Sequence, residues 1–254
     1  MSRELRLIGL PDIPEVTRDT GLATVLTEAV SKAGCSFETG DVIVIAQKIV
    51  SKAEGRLVRL ATVEPSDHAR ELAAAVGKDA RLVELVLRES RNVLRAKKGV
   101  LIVEHRLGFV MANAGIDQSN LPGESPDCAL LLPQDPDASA QRLRESMRAL
   151  CAIDVGIVIN DSFGRAWRNG VAGVAIGVAG IPALVDARGE PDRAGRPLRY
   201  TQIAVADELA AAASIVMGQA AEGCPAVLAR GFPYARGEGS ARDLLRPRDE
   251  DLFR

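Results

Sequence analysis

Two short, uninterrupted apolar runs constrain this chain more than any other feature. They are Val42-Ile43-Val44-Ile45-Ala46 and Val155-Gly156-Ile157-Val158-Ile159. Both have strand length, and neither alternates with polar residues. A strand of this kind is apolar on both faces and must be covered on both. The chain therefore has to build a sheet with further layers around it, and each run ends abruptly in polar side chains.

The remaining segments supply those layers. Leu5 to Leu10 reads as a first strand closed by Pro11, and Ala226–Ala229 as a last one. Gly21 to Ala33 places Leu22, Val25, Leu26 and Val30 on one helical stripe. Helices are expected near Ser66–Val76, with Ser66 as the cap, and near Asp79–Glu89. Val100–Val103 and Phe109–Met111 read as hairpin arms turning at Gly108. The loop Leu132-Pro133-Gln134-Asp135-Pro136-Asp137 caps a helix to about Ala152, and the clearest helix is Gln202–Ala221. Strands and helices alternate irregularly, so the expectation is an α+β fold with mixed sheets and flanking helices. No low-complexity linker divides the chain. Residues 1–235 are expected to form one domain, followed by a charged, solvated tail over 236–254.

Composition excludes several functions. A formal net charge of −2 provides no global field for nucleic acid or an anionic membrane. The opening Met-Ser-Arg-Glu-Leu-Arg carries no signal-peptide pattern, and the apolar stretch Val171–Val185 is too short and glycine-rich to span a bilayer. Cys35, Cys128, Cys151 and Cys224 show no CxxC spacing and are expected to be reduced thiols in a cytoplasmic protein. No phosphate-binding GxxxxGK[ST] loop, GxGxxG fingerprint, zinc spacing or serine-hydrolase elbow occurs. Gly170, Gly173, Gly177 and Gly180 fit either close backbone packing or a ligand-facing loop.

Three polar clusters carry what chemistry there is. Gln47-Lys48-Ile49-Val50-Ser51-Lys52 leaves the first apolar run with two lysines and a serine, groups suited to phosphate. Asn113-Ala114-Gly115-Ile116-Asp117-Gln118-Ser119-Asn120 places an Asp and an Asn three apart after a strand, a pairing that can hold a hard cation and orient a nucleotide. Asn160-Asp161-Ser162-Phe163-Gly164-Arg165-Ala166-Trp167-Arg168 ends the second run with a carboxylate, a hydroxyl and arginines. Trp167, the only tryptophan, fits either a core anchor or a stacking surface. Two separated aspartates with several cations suit metal-assisted polyphosphate chemistry better than acid–base hydrolysis.

At these clusters the chain resembles the coenzyme F420:L-glutamate ligase family. The resembling segments are GDVIVIAQKIVSKAEG from Gly40, GFVMANAGIDQSN from Gly108, LLPQDPDASA from Leu131, INDSFGRAWRNG from Ile159, VAIGVAGI from Val174 and AVADELAAAASIVMGQA from Ala204. They follow in family order from Ile8 to about Gly231. The resemblance implies a GTP-dependent ligase that joins L-glutamate to the lactyl-phosphate carboxylate of the deazaflavin coenzyme F420-0. Later glutamates would be γ-linked, and an acyl phosphate would be the intermediate. It also implies two Mg2+ or Mn2+ ions per site, a monovalent cation such as K+, and an intertwined homodimer of an unusual two-subdomain fold.

By position, Asp117, Asp161 and Ser162 resemble the metal ligands, with Gln219 a further one. Leu10, Pro11, Asp12, Ile13, Gln47, Lys48, Lys52 and Asn120 resemble nucleotide contacts. So does the run Met217, Gly218, Gln219, Ala220, Ala221, Glu222, Gly223 and Cys224. Asp117, Asp161, Lys48 and Lys52 are the residues that the resemblance makes catalytic. Ser162 stands where many relatives have Thr, which preserves the hydroxyl.

Overall fold

The computed structural model describes residues 4–119, 121 and 127–252. Its strands are β1 (Arg6–Gly9), β2 (Val42–Ala46), β3 (Leu57–Arg59), β4 (Ser90–Lys97), β5 (Val100–His105), β6 (Val110–Ala112), β7 (Cys128–Leu130), β8 (Gly156–Arg165), β9 (Arg168–Ala179), β10 (Val185–Asp186), β11 (Gln202–Ile203) and β12 (Ala226–Arg230). Its α-helices are α1 (Leu22–Lys32), α2 (Gln47–Ala53), α3 (Asp67–Val76), α4 (Ala80–Arg88), α5 (Pro136–Cys151) and α6 (Val205–Met217). Among the described residues the architecture is mixed, with four sheets and flanking helices.

The two apolar runs lie side by side at the centre. β2 and β8 pair in parallel, with Val42 opposite Gly156 and Ala46 opposite Asn160. They are inner strands of a five-stranded sheet ordered β1-β12-β2-β8-β9. All four residues from Val42 to Ile45 are fully buried, as are Ile157, Val158 and Ile159. Parallel pairing explains why neither run alternates: each has a layer on both faces.

The glycine-rich stretch shows how close those layers come. It forms β9, so close backbone packing is the correct reading at Gly173 and Gly177. The β8–β9 register slips between the Ile159–Gly177 and Asn160–Ala175 pairs, a bulge at Ile176. Consequently Gly173 and Gly177 face different helices. A Cβ on Gly173 would sit 2.5 Å from the Ala210 carbonyl oxygen of α6. One on Gly177 would sit 2.6 Å from the Pro136 carbonyl carbon of α5. β9 is also a sheet edge, and carboxylates occupy two of its amides. The Ala175 N–H donates to Asp207 at 2.9 Å and the Val178 N–H to Asp137 at 2.8 Å. An edge capped in this way is a poor template for a further strand.

At the far end of the sheet, Arg230 on β12 grips Asp41, the residue before β2, through Nε at 2.9 Å and Nη2 at 2.8 Å. Asp41 is 1% exposed and Arg230 partly exposed, so the bidentate pair is half-buried and satisfies the buried carboxylate. A smaller core joins α3 and α4 to β5 through Ala69, Val76, Val83, Leu101 and Val103. Ser66 caps α3 as expected, accepting the Ala69 amide, and Glu84 of α4 in turn accepts both the Ser66 amide and its hydroxyl.

Four expectations are corrected. Residues from Gln47 do not form an open strand exit but a helix, α2, whose Gln47, Ile49, Val50 and Ser51 are buried. The helix expected from Gln202 begins at Val205, because Gln202 and Ile203 pair with β10. It ends at Met217 rather than Ala221, because Gly218 turns out of the helix at φ +73°. The hairpin has a third strand, β4, whose charged sequence concealed it. The charged segment after Arg236 is not uniformly solvated: Ala241 is 1% exposed, and its amide and the Ser240 hydroxyl both donate to Asp137.

Among the described residues, no helix is long and apolar enough to cross a membrane.

Candidate active site

The strand ends converge. α2 leaves β2 without an intervening loop, and its lysines fall four apart, so Lys48 and Lys52 share one helical face. β8 continues past the apolar run, which carries Asp161 and Ser162 into the same region. The second cluster arrives by a different device. Asn113, Ala114 and Gly115 are all left-handed, with φ of +51°, +54° and +66°. This rare run reverses the chain after β6 and delivers Asp117 to the rim. Gly115 suits this turn, since at φ +66° a Cβ would lie 2.6 Å from Met111 Cε and 3.0 Å from Leu132 Cδ1, and those side chains would have to shift.

Asp117 is then fixed from two sides. Its backbone exchanges hydrogen bonds with Leu130, N–H to carbonyl at 3.0 Å and carbonyl to N–H at 2.8 Å. Its Oδ2 lies 2.6 Å from Lys48 Nζ, and its Oδ1 accepts the Ser119 amide at 2.6 Å. Lys48 also donates to Ser119 Oγ at 3.0 Å. Phe109 and Phe163 meet edge to face, 6.0 Å between ring centres, and hold the β5–β6 hairpin against β8.

A cavity of about 750 Å³ opens between these elements. Its walls include Ile13, Gln47, Lys48, Lys52, Asp117, Asp161, Ser162 and the whole run from Met217 to Cys224. Gln219, released from α6 by Gly218, accepts the Ser162 hydroxyl at Oε1 over 2.8 Å. Asn160, largely buried, lines the floor, where its Nδ2 donates to Ser214 Oγ at 2.9 Å.

The two aspartates differ electrostatically. Burial pushes Asp161 up to about 7; the Asp117 charge adds to this, while the Ser162 amide and Lys48 oppose it. Burial also pushes Asp117 up, but bonds from Lys48 and from the Ser119 amide and hydroxyl hold it below the usual carboxylate range. Two carboxylates, a hydroxyl and a side-chain amide oxygen are all hard donors, and the desolvated Asp161 stands to gain from a cation. This set fits Mg2+ or Mn2+. Among the described residues no cluster of three or more His, Cys, Asp or Glu exists, so such an ion would depend on the mixed oxygen set.

Other residues singled out in the sequence do not line the cavity or lie outside the described residues. Leu10 is fully buried, and its amide donates to the Ala226 carbonyl at 2.9 Å. Pro11 and Asp12 are exposed and do not line the cavity. Asn120 lies outside the described residues. Trp167 stands at the tip of the β8–β9 hairpin, 81% exposed, and is no core anchor. Glu15 is a site residue that the sequence did not indicate. It lines the cavity and accepts Lys52 Nζ at 2.6 Å. Its only signal was a carboxylate in the loop after β1.

Comparison with known proteins places the chain in a family. The family model described as F420-0:Gamma-glutamyl ligase matches residues 11–231. The coenzyme F420:L-glutamate ligase of Methanothermobacter thermautotrophicus is 44% identical over 252 residues, covering 98% of this chain and 99% of its own. That of Methanopyrus kandleri is 45% identical over 254 residues, 98% of each. That of Archaeoglobus fulgidus is 43% identical over 242 residues, 95% and 93%. A family match over residues 11–231, with relatives 43–45% identical over nearly the whole chain, means that this chain belongs to the F420-0:Gamma-glutamyl ligase family.

Proposed function

We propose that the protein is a GTP- and metal-dependent ligase that joins L-glutamate to the lactyl-phosphate carboxylate of coenzyme F420-0, with later glutamates γ-linked. The observation that carries this reading is the meeting of Lys48, Asp117, Asp161, Ser162 and Gln219 around one cavity. That combination suits a polyphosphate with its cation, and the cavity is large enough for a nucleotide and part of an acceptor.

A carboxylate is a poor acyl donor because its leaving group would be oxide. The acceptor carboxylate oxygen attacks the terminal phosphorus of GTP, the bond to the bridging oxygen breaks, and GDP departs. The glutamate amine then adds to the acyl phosphate carbon, inorganic phosphate leaves, and the amine loses a proton as the amide forms. Bound Mg2+ or Mn2+ supplies charge neutralisation for the triphosphate, and Asp117, Asp161, Ser162 and Gln219 would hold it. Lys48 and Lys52 hold phosphate oxygens as point charges. Glu15 keeps Lys52 extended along the wall until phosphate takes its place. No protein nucleophile is needed.

The test is phosphate release with each substrate omitted in turn. Release that requires GTP, divalent metal, L-glutamate and the unglutamylated coenzyme together supports the ligase. Release that ignores glutamate would make the protein a nucleotide hydrolase, and no release under any combination would leave a nucleotide-binding protein.

A further inference from the structure

Outside the cavity lies a second concentration of charge, centred on Glu89 at the end of α4. Its Oε2 accepts Arg56 Nη2 at 3.1 Å and Arg106 Nε at 3.0 Å. The fully buried His105 faces the same oxygen with Nε2 at 3.5 Å, its Nδ1 being occupied by the Leu107 amide. The Glu89 side chain is itself only 13% exposed. Burial pushes its carboxyl up, but His105 and the two guanidinium groups outweigh this and hold it at about 2. A buried carboxylate collecting two arginines is a costly arrangement for a helix end that a neutral side chain could close.

Both arginines continue to the same segment. Arg56 Nε donates to the Leu132 carbonyl at 2.8 Å, and Arg106 Nη1 donates to the Gln134 carbonyl at 2.9 Å. The Arg56 carbonyl also accepts the Leu131 amide at 3.2 Å. The residue before that segment, Leu130, makes the two-way backbone pairing with Asp117. A chain of direct bonds therefore runs from Glu89 through Arg56 and Arg106 to residues 131–134, and on to the Asp117 backbone.

We infer that Glu89 is a positioning residue, which sets the Asp117 carboxylate for the divalent cation by clamping the 130–134 segment through Arg56 and Arg106. This rests on the proposed metal role of Asp117. Glu89 does not line the cavity, and its effect is confined to the Asp117 side of the site. Asp161 and Ser162 are held independently, by β8.

Titration of the protein with Mn2+ alone, reading free Mn2+ by electron paramagnetic resonance, tests this. Glu89→Gln keeps the shape and removes the charge, and is expected to weaken Mn2+ binding about tenfold. The factor should persist in an Asp161→Asn background and fall below about twofold in Asp117→Asn, since two changes on one arm do not add. A general loosening of the fold would give equal factors in both backgrounds and would overturn the inference. So would wild-type affinity in a folded Glu89→Gln protein. Should Glu89→Gln fail to fold, Arg106→Met, which removes one of the two links, is read by the same comparison. A wild-type protein that binds no Mn2+ would overturn the metal reading itself, and this inference with it.

Discussion

Lys48 and Asp117 lie 2.6 Å apart, Nζ to Oδ2, although one sits in the helix after the central strand β2 and the other follows a left-handed turn in the smaller hairpin sheet. The contact joins the main layer of the protein to its smaller one at the mouth of the cavity. It also places a cation against the carboxylate proposed to hold a divalent ion, so the proposed function requires this pair to rearrange when metal and nucleotide bind.

Replacing Asp161 with Asn should reduce turnover by at least about 100-fold while leaving the metal-free protein as stable as wild type, or more so. The substitution removes a desolvated charge but keeps the side-chain shape. Initial rates at saturating Mg2+, together with thermal melts in chelator, check both parts. Near-wild-type turnover would remove Asp161 from the chemistry.

The same residue makes stability depend on pH. Burial, with the Asp117 charge adding to it, raises Asp161 to about 7 in the folded chain, against 3.8 as its ordinary value. The folded state thus binds this proton more tightly than the unfolded one. Its stabilising contribution is complete below the ordinary value and is lost as pH rises through about 7. Urea unfolding in chelator should show wild type losing more stability than Asp161→Asn between about pH 5 and pH 8.

Lys48→Met and Lys52→Met should each raise KM for the nucleotide by about tenfold, the scale of one lost charge-assisted bond. Steady-state kinetics at fixed free Mg2+ separates this from an effect on metal. The Lys52 change should leave Mn2+ affinity unaltered, because Lys52 pairs with Glu15 and not with Asp117.

Gly173→Ala should cost about 2 kcal/mol or more, since the new methyl would meet the Ala210 carbonyl oxygen and Ser214 Oγ on α6. The chemical-denaturation midpoint reads it. Gly170→Ala makes a useful contrast: no atom lies within 4 Å of its Cβ position, so any cost there comes from its φ of +84° alone.

Much of this could be read from the residues themselves. β2, β8, α1, α3, α4 and α5 are legible because their apolar periods match their burial, and Ser66 and Asp135 mark helix starts through side chains that do accept the expected amides. β9 was obscured because its glycines reflect helices pressed against a strand, a tertiary cause absent from local propensity. α2 is seven residues long and carries two lysines on its open face, so nothing in its period separates it from a polar loop. Within the site, Lys48, Lys52, Asp117 and Asp161 stood out as polar groups launched from apolar strands. Their convergence did not, because it depends on the left-handed turn at Asn113–Gly115. Gln219 carries no local signal of its own: Gly218 ends α6 and turns it toward Ser162, a break that the helical period does not show. Leu10, which the resemblance assigns to the nucleotide, has its side chain buried in the core, so nothing in its burial or period marks it as a site residue.

The most direct test is mass spectrometry of the unglutamylated deazaflavin coenzyme after incubation with the protein, GTP, Mg2+ and L-glutamate. The account predicts a product heavier by one or more glutamyl units, absent without GTP and absent with Asp161→Asn. An unchanged mass, from protein shown to bind GTP and Mn2+, would contradict the proposed acceptor and with it the central claim.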